Sequence, residues 1–286
     1  EGDYWIHIVG WNGDEDSSKS FISVNDGGRY TPTTECVFYY RFNSGGTTDT
    51  CGTSGGGTLT LSGSSTGSGG KMGNGLLLDG TGHALGALGT IDISGSWSFE
   101  TWIKGSDMDT GTILFIGDND DARGEDELLV RLNGLPADNS LVIQYDSGEF
   151  GTKYSSSALF TDGVWHHFAM TFDGSADTFD IYLNGDRTVA SQSMAIDSNV
   201  DGASPGIYFG GHPETPFFGM TDFTGTMDDT RFSNYERQAF AGGLMISKVE
   251  PSTNTITLYN SGDTAYDFNG IELWKDGSQC GSEITA

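Results

Sequence analysis

The chain has 286 residues, room for one large β domain with small additions. Acidic residues outnumber basic ones 40 to 13, a formal charge of −27, which excludes nucleic acid and anionic membrane as partners because neutralising phosphate needs Lys and Arg. No apolar run approaches the ~20 residues of a bilayer-crossing helix, so no membrane insertion is expected.

The acidic surface attracts divalent cations and suits a saline or extracellular habitat. The chain begins at Glu1 without Met or a charged-then-apolar leader, and it reads as a processed chain or a fragment. Of 3 cysteines, Cys36 and Cys51 are spaced to close a loop of about 15 residues, which a disulfide stabilises by roughly 3 kcal/mol; Cys280 is left over. The 44 glycines and 6 prolines fit many short strands joined by tight turns.

In chain order, residues 1–35 hold two strand-like pieces, Tyr4 to Val9 and Phe21 to Val24. They are too short to bury a core of their own and must pack on the next domain or on another chain. Val37 to Phe42 is a strand, followed by a Gly/Ser/Thr-rich tract from Asn43 to Gly70, broken by Leu59-Thr60-Leu61, which alternates as a short strand does. Leu76-Leu77-Leu78 is a strand ending in the turn Asp79-Gly80. Further strands are expected at Trp97 to Ile103, Thr112 to Ile116, Leu128 to Leu132 and Leu141 to Tyr145.

The stretch from Val164 to Leu183 organises the rest. Val164, His166, Phe168, Met170 and Phe172 recur at every second position, as do Phe179, Ile181 and Leu183, marking two strands with one buried face each. Asn184-Gly185 accepts positive φ and suits a tight hairpin. An isolated hairpin with an apolar face needs a covering sheet, so the chain reads as an all-β, two-sheet sandwich. Strands at Ile207 to Phe209 and Thr226 to Phe232 complete it, and Asn234 to Ala241 reads as a short helix. Residues 244–286 contribute three more strands, at Leu244 to Val249, Thr255 to Tyr259 and Ile271 to Trp274.

Five stretches, in order, carry a family resemblance. They are Tyr39-Tyr40-Arg41-Phe42, Gly73 to Gly80, Trp97 to Ile103, Trp165-His166-His167-Phe168-Ala169 with Tyr182-Leu183-Asn184-Gly185, and Gly225 to Phe232. Residues 36–241 resemble a laminin G-like domain, a jelly-roll sandwich of the concanavalin A-like lectin/glucanase superfamily. Ile246 to Gly262, within residues 242–286, resembles the opening of a lamin-tail-type immunoglobulin-like domain and is short for that family. The resemblance implies a non-catalytic extracellular module, secreted or displayed on a cell or virion, that binds a glycan or a surface protein, often with structural Ca²⁺.

For Ca²⁺, the candidates are Asp79 at a strand end and Asp228-Asp229 on the last sandwich strand, since that ion takes six to eight oxygens. The plainer alternative is that these carboxylates cap turns and strands. The acidic run Asp118 to Glu127 resembles a calcium loop in composition alone and reads more simply as a solvated loop. For glycan stacking the candidates are Tyr145 and Phe150 beside one turn, and His212, Phe217 and Phe218 in a late loop. His166 and His167 face opposite sides of one strand and cannot share a metal.

No catalytic residue stands out. Gly52-Thr53-Ser54-Gly55-Gly56 and Gly63-Ser64-Ser65-Thr66-Gly67 match a nucleophile pattern but lie in Gly/Ser-rich tract with no helix after them. A glycoside hydrolase on this sandwich needs paired carboxylates, and the Glu-x-Asp-x-x-Glu strand motif of laminarinase-type enzymes is absent from the chain. The second functional reading is a structural subunit of a filament, surface layer or virion appendage. In it, residues 1–35 and 244–286 complete each other between chains by strand addition, giving self-association.

Overall fold

The computed structural model describes residues 5–8, 36–42, 45–49, 51, 56–71, 73–89, 91–117, 127–133, 139–146, 152–196, 200, 205–211, 221–236, 244–250, 255–260, 272–275 and 278–279. These residues form strands and turns and no helix, so none is long and apolar enough to cross a membrane. The chain divides into two compact units, Pro32–Phe240 and a second made of Glu1–Thr31 with Ala241–Ala286.

The strands in order are β1 (Trp5–Ile8), β2 (Cys36–Tyr40), β3 (Thr60–Ser68), β4 (Asn74–Ala87), β5 (Trp97–Gly105) and β6 (Thr110–Gly117). Next come β7 (Glu127–Asn133), β8 (Ser140–Asp146), β9 (Thr152–Ala158), β10 (His166–Asp173), β11 (Thr178–Leu183) and β12 (Asp186–Ser193). The last are β13 (Gly206–Phe209), β14 (Thr224–Ser233), β15 (Leu244–Glu250), β16 (Thr255–Asn260), β17 (Glu272–Lys275) and β18 (Ser278–Gln279).

In the larger unit one curled antiparallel sheet runs β12-β11-β10-β5-β14-β4-β13-β6-β7-β8-β9, with β2 on β14 and β3 on β4. Strand β14 turns the corner. Its residues 224–227 pair with β4, its residues 230–233 pair with β2, and β5 lies along both halves. A bulge between Asp228 and Arg231 separates the halves, and Asp229 within it has φ 47°. Extra backbone there sharpens the local twist, which lets one strand serve two layers.

The period of two in β10, β11 and β5 sends Phe168, Met170, Phe172, Phe179, Ile181, Trp97, Phe99 and Ile103 into the core, all at most 1% exposed. Leu114, Ile116, Leu128, Val130, Leu141 and Ile143 of β6, β7 and β8 belong to the same core cluster. Burying each such side chain contributes about 1.5–3 kcal/mol. Trp97 stacks between Phe232, centroids 5.5 Å apart, and Phe172 at 5.8 Å, and its indole N–H donates to Ile93 O at 3.0 Å. The all-β sandwich expected from the sequence is the fold observed.

The hairpin at Asn184-Gly185 is also as expected, with φ of 53° and 92° at the two residues. The Asn184 side chain accepts a hydrogen bond from His167 N at 3.0 Å, tying the turn back to β10. Cys36 and Cys51 form a disulfide, Cα atoms 5.9 Å apart. Asp49 steadies this loop, its Oδ1 accepting from Tyr39 N at 2.8 Å and Cys51 N at 2.9 Å.

Four expectations are corrected. The short strand at Leu59 to Leu61 runs further than its alternation suggests, because residues 60–68 form β3 against β4. Backbone pairing along β4 orders it, helped by the Ser64 and Thr66 hydroxyls, which donate to His83 O and Gly45 O at 2.8 Å. Strand β4 does not stop at Asp79-Gly80; it bends there, Gly80 at φ 85°, and continues to Ala87. Strands β9 and β12, rich in Ser and Thr, carry too little apolar alternation to stand out in the sequence. Val164 is 47% exposed, because β10 begins only at His166. Of the expected helix, Asn234, Tyr235 and Glu236 are non-helical, and the rest lies outside the described residues, as do Phe21 to Val24 and Cys280.

In the smaller unit β15 pairs with β16, and β1 runs parallel to β17, which also pairs with β18. Trp5 to Ile8 align with Glu272 to Lys275, so the two ends of the chain pair within one molecule.

Candidate functional site

Alternation that buries Phe99 and Phe168 turns their neighbours to the opposite face. In register across five strands lie Tyr182 of β11, Ala169 of β10, Glu100 of β5, Arg231 of β14 and Tyr39 of β2. The next line holds His167, Trp102 and Asp228. Glu100 is the hub: Oε2 lies 3.4 Å from His167 Nε2, and Oε1 lies 3.9 Å from Arg231 Nη1. Lys71 Nζ sits 4.3 Å above the Trp102 ring, a cation–π contact, and burial lowers its pKa.

Asp229 closes this face toward β2. The Tyr39 hydroxyl donates to its Oδ1 at 2.8 Å, and the Arg41 guanidinium lies 5.0 Å from the centre of the Tyr39 ring. Oδ2 of Asp229 is buried and finds no hydrogen-bond partner among the described residues. Burial therefore pushes its carboxyl up to about 6, with the Glu100 charge adding to the rise and the Tyr39 bond and Arg41 opposing it. The Tyr39 phenol rises too, from burial first and the Asp229 charge second.

At the other end of the same face the β10–β12 strands form a groove of about 630 Å³, lined by Asp173, Thr178, Asp180, Tyr182, Asp186, Arg187, Ser191 and Glu236 among others. Asp180, 7% exposed, anchors it. Arg187 Nη2 lies 2.6 Å from each of its carboxylate oxygens, and Ser191 N donates to Oδ1 at 2.6 Å. That backbone donation is set by an irregular β11–β12 register and by Ser191 at φ 49°. The Tyr182 hydroxyl is 3.5 Å from Asp180 Oδ2, and burial followed by the Asp180 charge raises its pKa. The groove thus offers a fixed set of carboxylates, hydroxyls and one guanidinium, groups that hydrogen-bond a polyhydroxylated ligand.

The residues singled out from sequence fare differently. Asp79, Asp228 and Asp229 do not converge: Asp79 pairs with Thr224, four residues along β14 from Asp228, about 13 Å at ~3.3 Å per residue. Asp79 is an exposed turn residue whose Oδ1 accepts from Thr81 N at 2.9 Å and Oγ1 at 2.7 Å. Asp228 Oδ1 accepts from Asp229 N at 2.9 Å. Among the described residues no group of three or more acidic, His or Cys side chains is placed to hold a metal ion. Tyr145 is 1% exposed in the main core and cannot present its ring to a sugar, because β8 turns it inward with Leu141 and Ile143. Phe150, His212, Phe217 and Phe218 lie outside the described residues, as does the acidic run up to residue 126.

His166 and His167 do face opposite sides. The first packs edge-on to Phe160, centroids 5.6 Å apart, and the second meets Glu100. Sequence reasoning passed over Asp180, Tyr182, Arg187 and Ser191. One signal was available: in Phe179-Asp180-Ile181-Tyr182 the two non-core positions are a carboxylate and a phenol.

A family model described as the concanavalin A-like lectin/glucanases superfamily, of laminin G type, matches residues 78–239, more than half of the chain. Among solved structures, domain 4 of an extracellular arabinanase from Geobacillus stearothermophilus, in complex with arabinotriose, is 19% identical with a TM-score of 0.52. That alignment covers 71% of this chain and 93% of that domain. The binding domain of botulinum neurotoxin serotype D is 12% identical with a TM-score of 0.51, over 71% of this chain and 48% of that one. These structural likenesses concern the fold. No curated protein matches the chain. By the extent of the family match and the sandwich that it predicts, the chain belongs to the laminin G-like branch of the concanavalin A-like lectin/glucanases superfamily.

Proposed function

We propose that the chain is a non-catalytic recognition module, displayed outside the cell, that binds a glycan in the groove between β10 and β12. The observation that carries this reading is the Asp180–Arg187–Ser191 arrangement beside Tyr182. It holds donors and acceptors in place before any ligand arrives, so little ordering cost remains at binding. The arabinanase domain that shares the fold is described in complex with an oligosaccharide, which supports the same class of ligand. A disulfide between Cys36 and Cys51 and a formal charge of −27 both suit an oxidising, extracellular setting.

The test is a glycan array followed by calorimetry with the full chain and its Tyr182→Ala and Arg187→Ala variants. Retention of at least one glycan class, weakened about ten-fold or more in both variants, supports the groove as the site. Incubation with the bound glycan should release no reducing sugar. Binding that both variants leave intact moves the site elsewhere.

One observation favours a second reading. Strand β1, from the start of the chain, completes a sheet with β17 near its end. The same parallel pairing made between molecules would build a filament or surface layer. Concentration-dependent polymers that vanish when residues 1–35 are deleted would support it, and a monomer at every concentration would reject it.

A further inference from the structure

We infer that the groove accepts uncharged glycans and excludes acidic ones, because Asp180 already neutralises the guanidinium that an acidic sugar would seek. The inference rests on the glycan-binding reading and names the ligand class of that same groove. Arg187 is the only basic residue among the described residues that line it. Both oxygens of Asp180 lie 2.6 Å from its Nη2, so the pair meets an incoming ligand as a dipole and not as a cation.

Two further features hold that state in place. Ser191 N donates to Asp180 at 2.6 Å, and the Ser191 hydroxyl lies 3.2 Å from Arg187 Nη2, so neither partner of the ion pair swings away freely. Asp173, Asp186 and Glu236 also line the groove, in a chain whose acidic residues exceed its basic ones by 40 to 13. The field at the groove is negative, and it repels a sialyl, uronyl or sulfate group before contact. The remaining guanidinium N–H groups still donate, and a neutral hydroxyl takes those bonds without the charge penalty.

The test uses matched ligands on the full chain: lactose against 3′-sialyllactose, galactotriose against tri-galacturonate, and arabinotriose as a further neutral sugar. At low ionic strength the neutral member of a pair should bind at least about ten-fold tighter, and the gap should narrow as salt shortens the Debye length. Equal or tighter binding of the acidic member overturns the inference while leaving the glycan-binding reading standing. If no glycan of either class binds, that reading itself falls.

Asp180→Asn keeps an oxygen for Ser191 N but returns the charge to Arg187. It should shrink the preference at least several-fold or reverse it. A folded Asp180→Asn chain with the original preference overturns the inference. Should that variant fail to fold, Asp186→Asn combined with Glu236→Gln serves instead. It should raise affinity for the acidic ligands alone, and an unchanged preference there also counts against the proposal.

Discussion

The two layers of the sandwich treat their outer faces differently. On β6, β7 and β13 the outward side chains are Phe115, Leu129 and Tyr208, exposed 2%, 7% and 3%, a second apolar cluster joined by Leu85. His83 packs edge-on to Tyr208, ring centres 5.3 Å apart. These strands read as continuous apolar runs because both of their faces are buried. On β5, β10 and β11 the outward positions are Glu100, Trp102, His167, Asp180 and Tyr182, chiefly polar, tied by the Asp180–Arg187 ion pair and by polar contacts of Glu100 with His167 and of Tyr182 with Asp180. The lesson is a division of labour within one curled sheet: the layer apolar on both faces supplies stability, and the other spends its outer face on polar groups that can meet a ligand.

The largest expected effect breaks the comparison directly. Phe115→Ala removes a ring that is 2% exposed on an outer face, and it should cost about 3–5 kcal/mol in chemical denaturation, as a core truncation does. Glu100→Gln on the opposite layer keeps an oxygen toward its largely buried partners at 3.4 and 3.9 Å and should cost less, about 1.5–3 kcal/mol. Comparable losses in the two variants would end the distinction.

Reducing the disulfide should come next, at roughly 3 kcal/mol for a separation of 15 residues. It tethers β2, the strand that carries Tyr39. Hydrogen exchange should therefore rise along β2 and its partner half of β14 before it rises along β6 and β7.

Asp229 sharpens the comparison through pH. Its carboxyl is raised from 3.8 to about 6 in the fold, so between those values the folded chain holds more protons than the unfolded one. Its contribution to stability is fully present below about 4, is lost as pH rises through about 6, and is flat above. Asp229→Asn keeps the Tyr39 hydrogen bond and tolerates φ 47°, and it should remove this slope. The two chains should differ by up to about 3 kcal/mol at neutral pH, with the variant more stable. Parallel stability–pH curves for the two would refute the assignment.

The smallest stability change is expected for Arg187→Ala. Arg187 is 45% exposed at its side chain, and its ion pair with Asp180 should contribute about 1 kcal/mol or less. The loss should appear in glycan affinity far more than in melting temperature. A large stability loss with intact binding would make the pair structural.

Much of the fold was written in local pattern. The alternation around Phe168 and Phe179 determines two strands with one apolar face each, and Asn184-Gly185 sets the turn out of the second, because side chains on a strand alternate whatever lies around it. Runs of small polar residues hid β3, β9 and β12, which are ordered by backbone pairing with a neighbour and by one apolar side chain each, Leu61, Tyr154 and Val189, packed on the core. Tyr145 misled for a related reason: a ring next to a turn looks available until the register of β8 turns it inward.

The site was less legible still. Composition alone set the sign of the field, since 40 acidic residues against 13 basic ones repel anions in any fold. Which carboxylate meets which guanidinium was a tertiary decision. Glu100, His167 and Arg231 are far apart in the chain and adjacent only through strand register. Asp180 holds Arg187 and Ser191 only because an irregular β11–β12 register brings a backbone N–H to its oxygen. Pairing across strands is a long-range choice, so one sequence read from end to end reveals the faces of its strands before it reveals their neighbours.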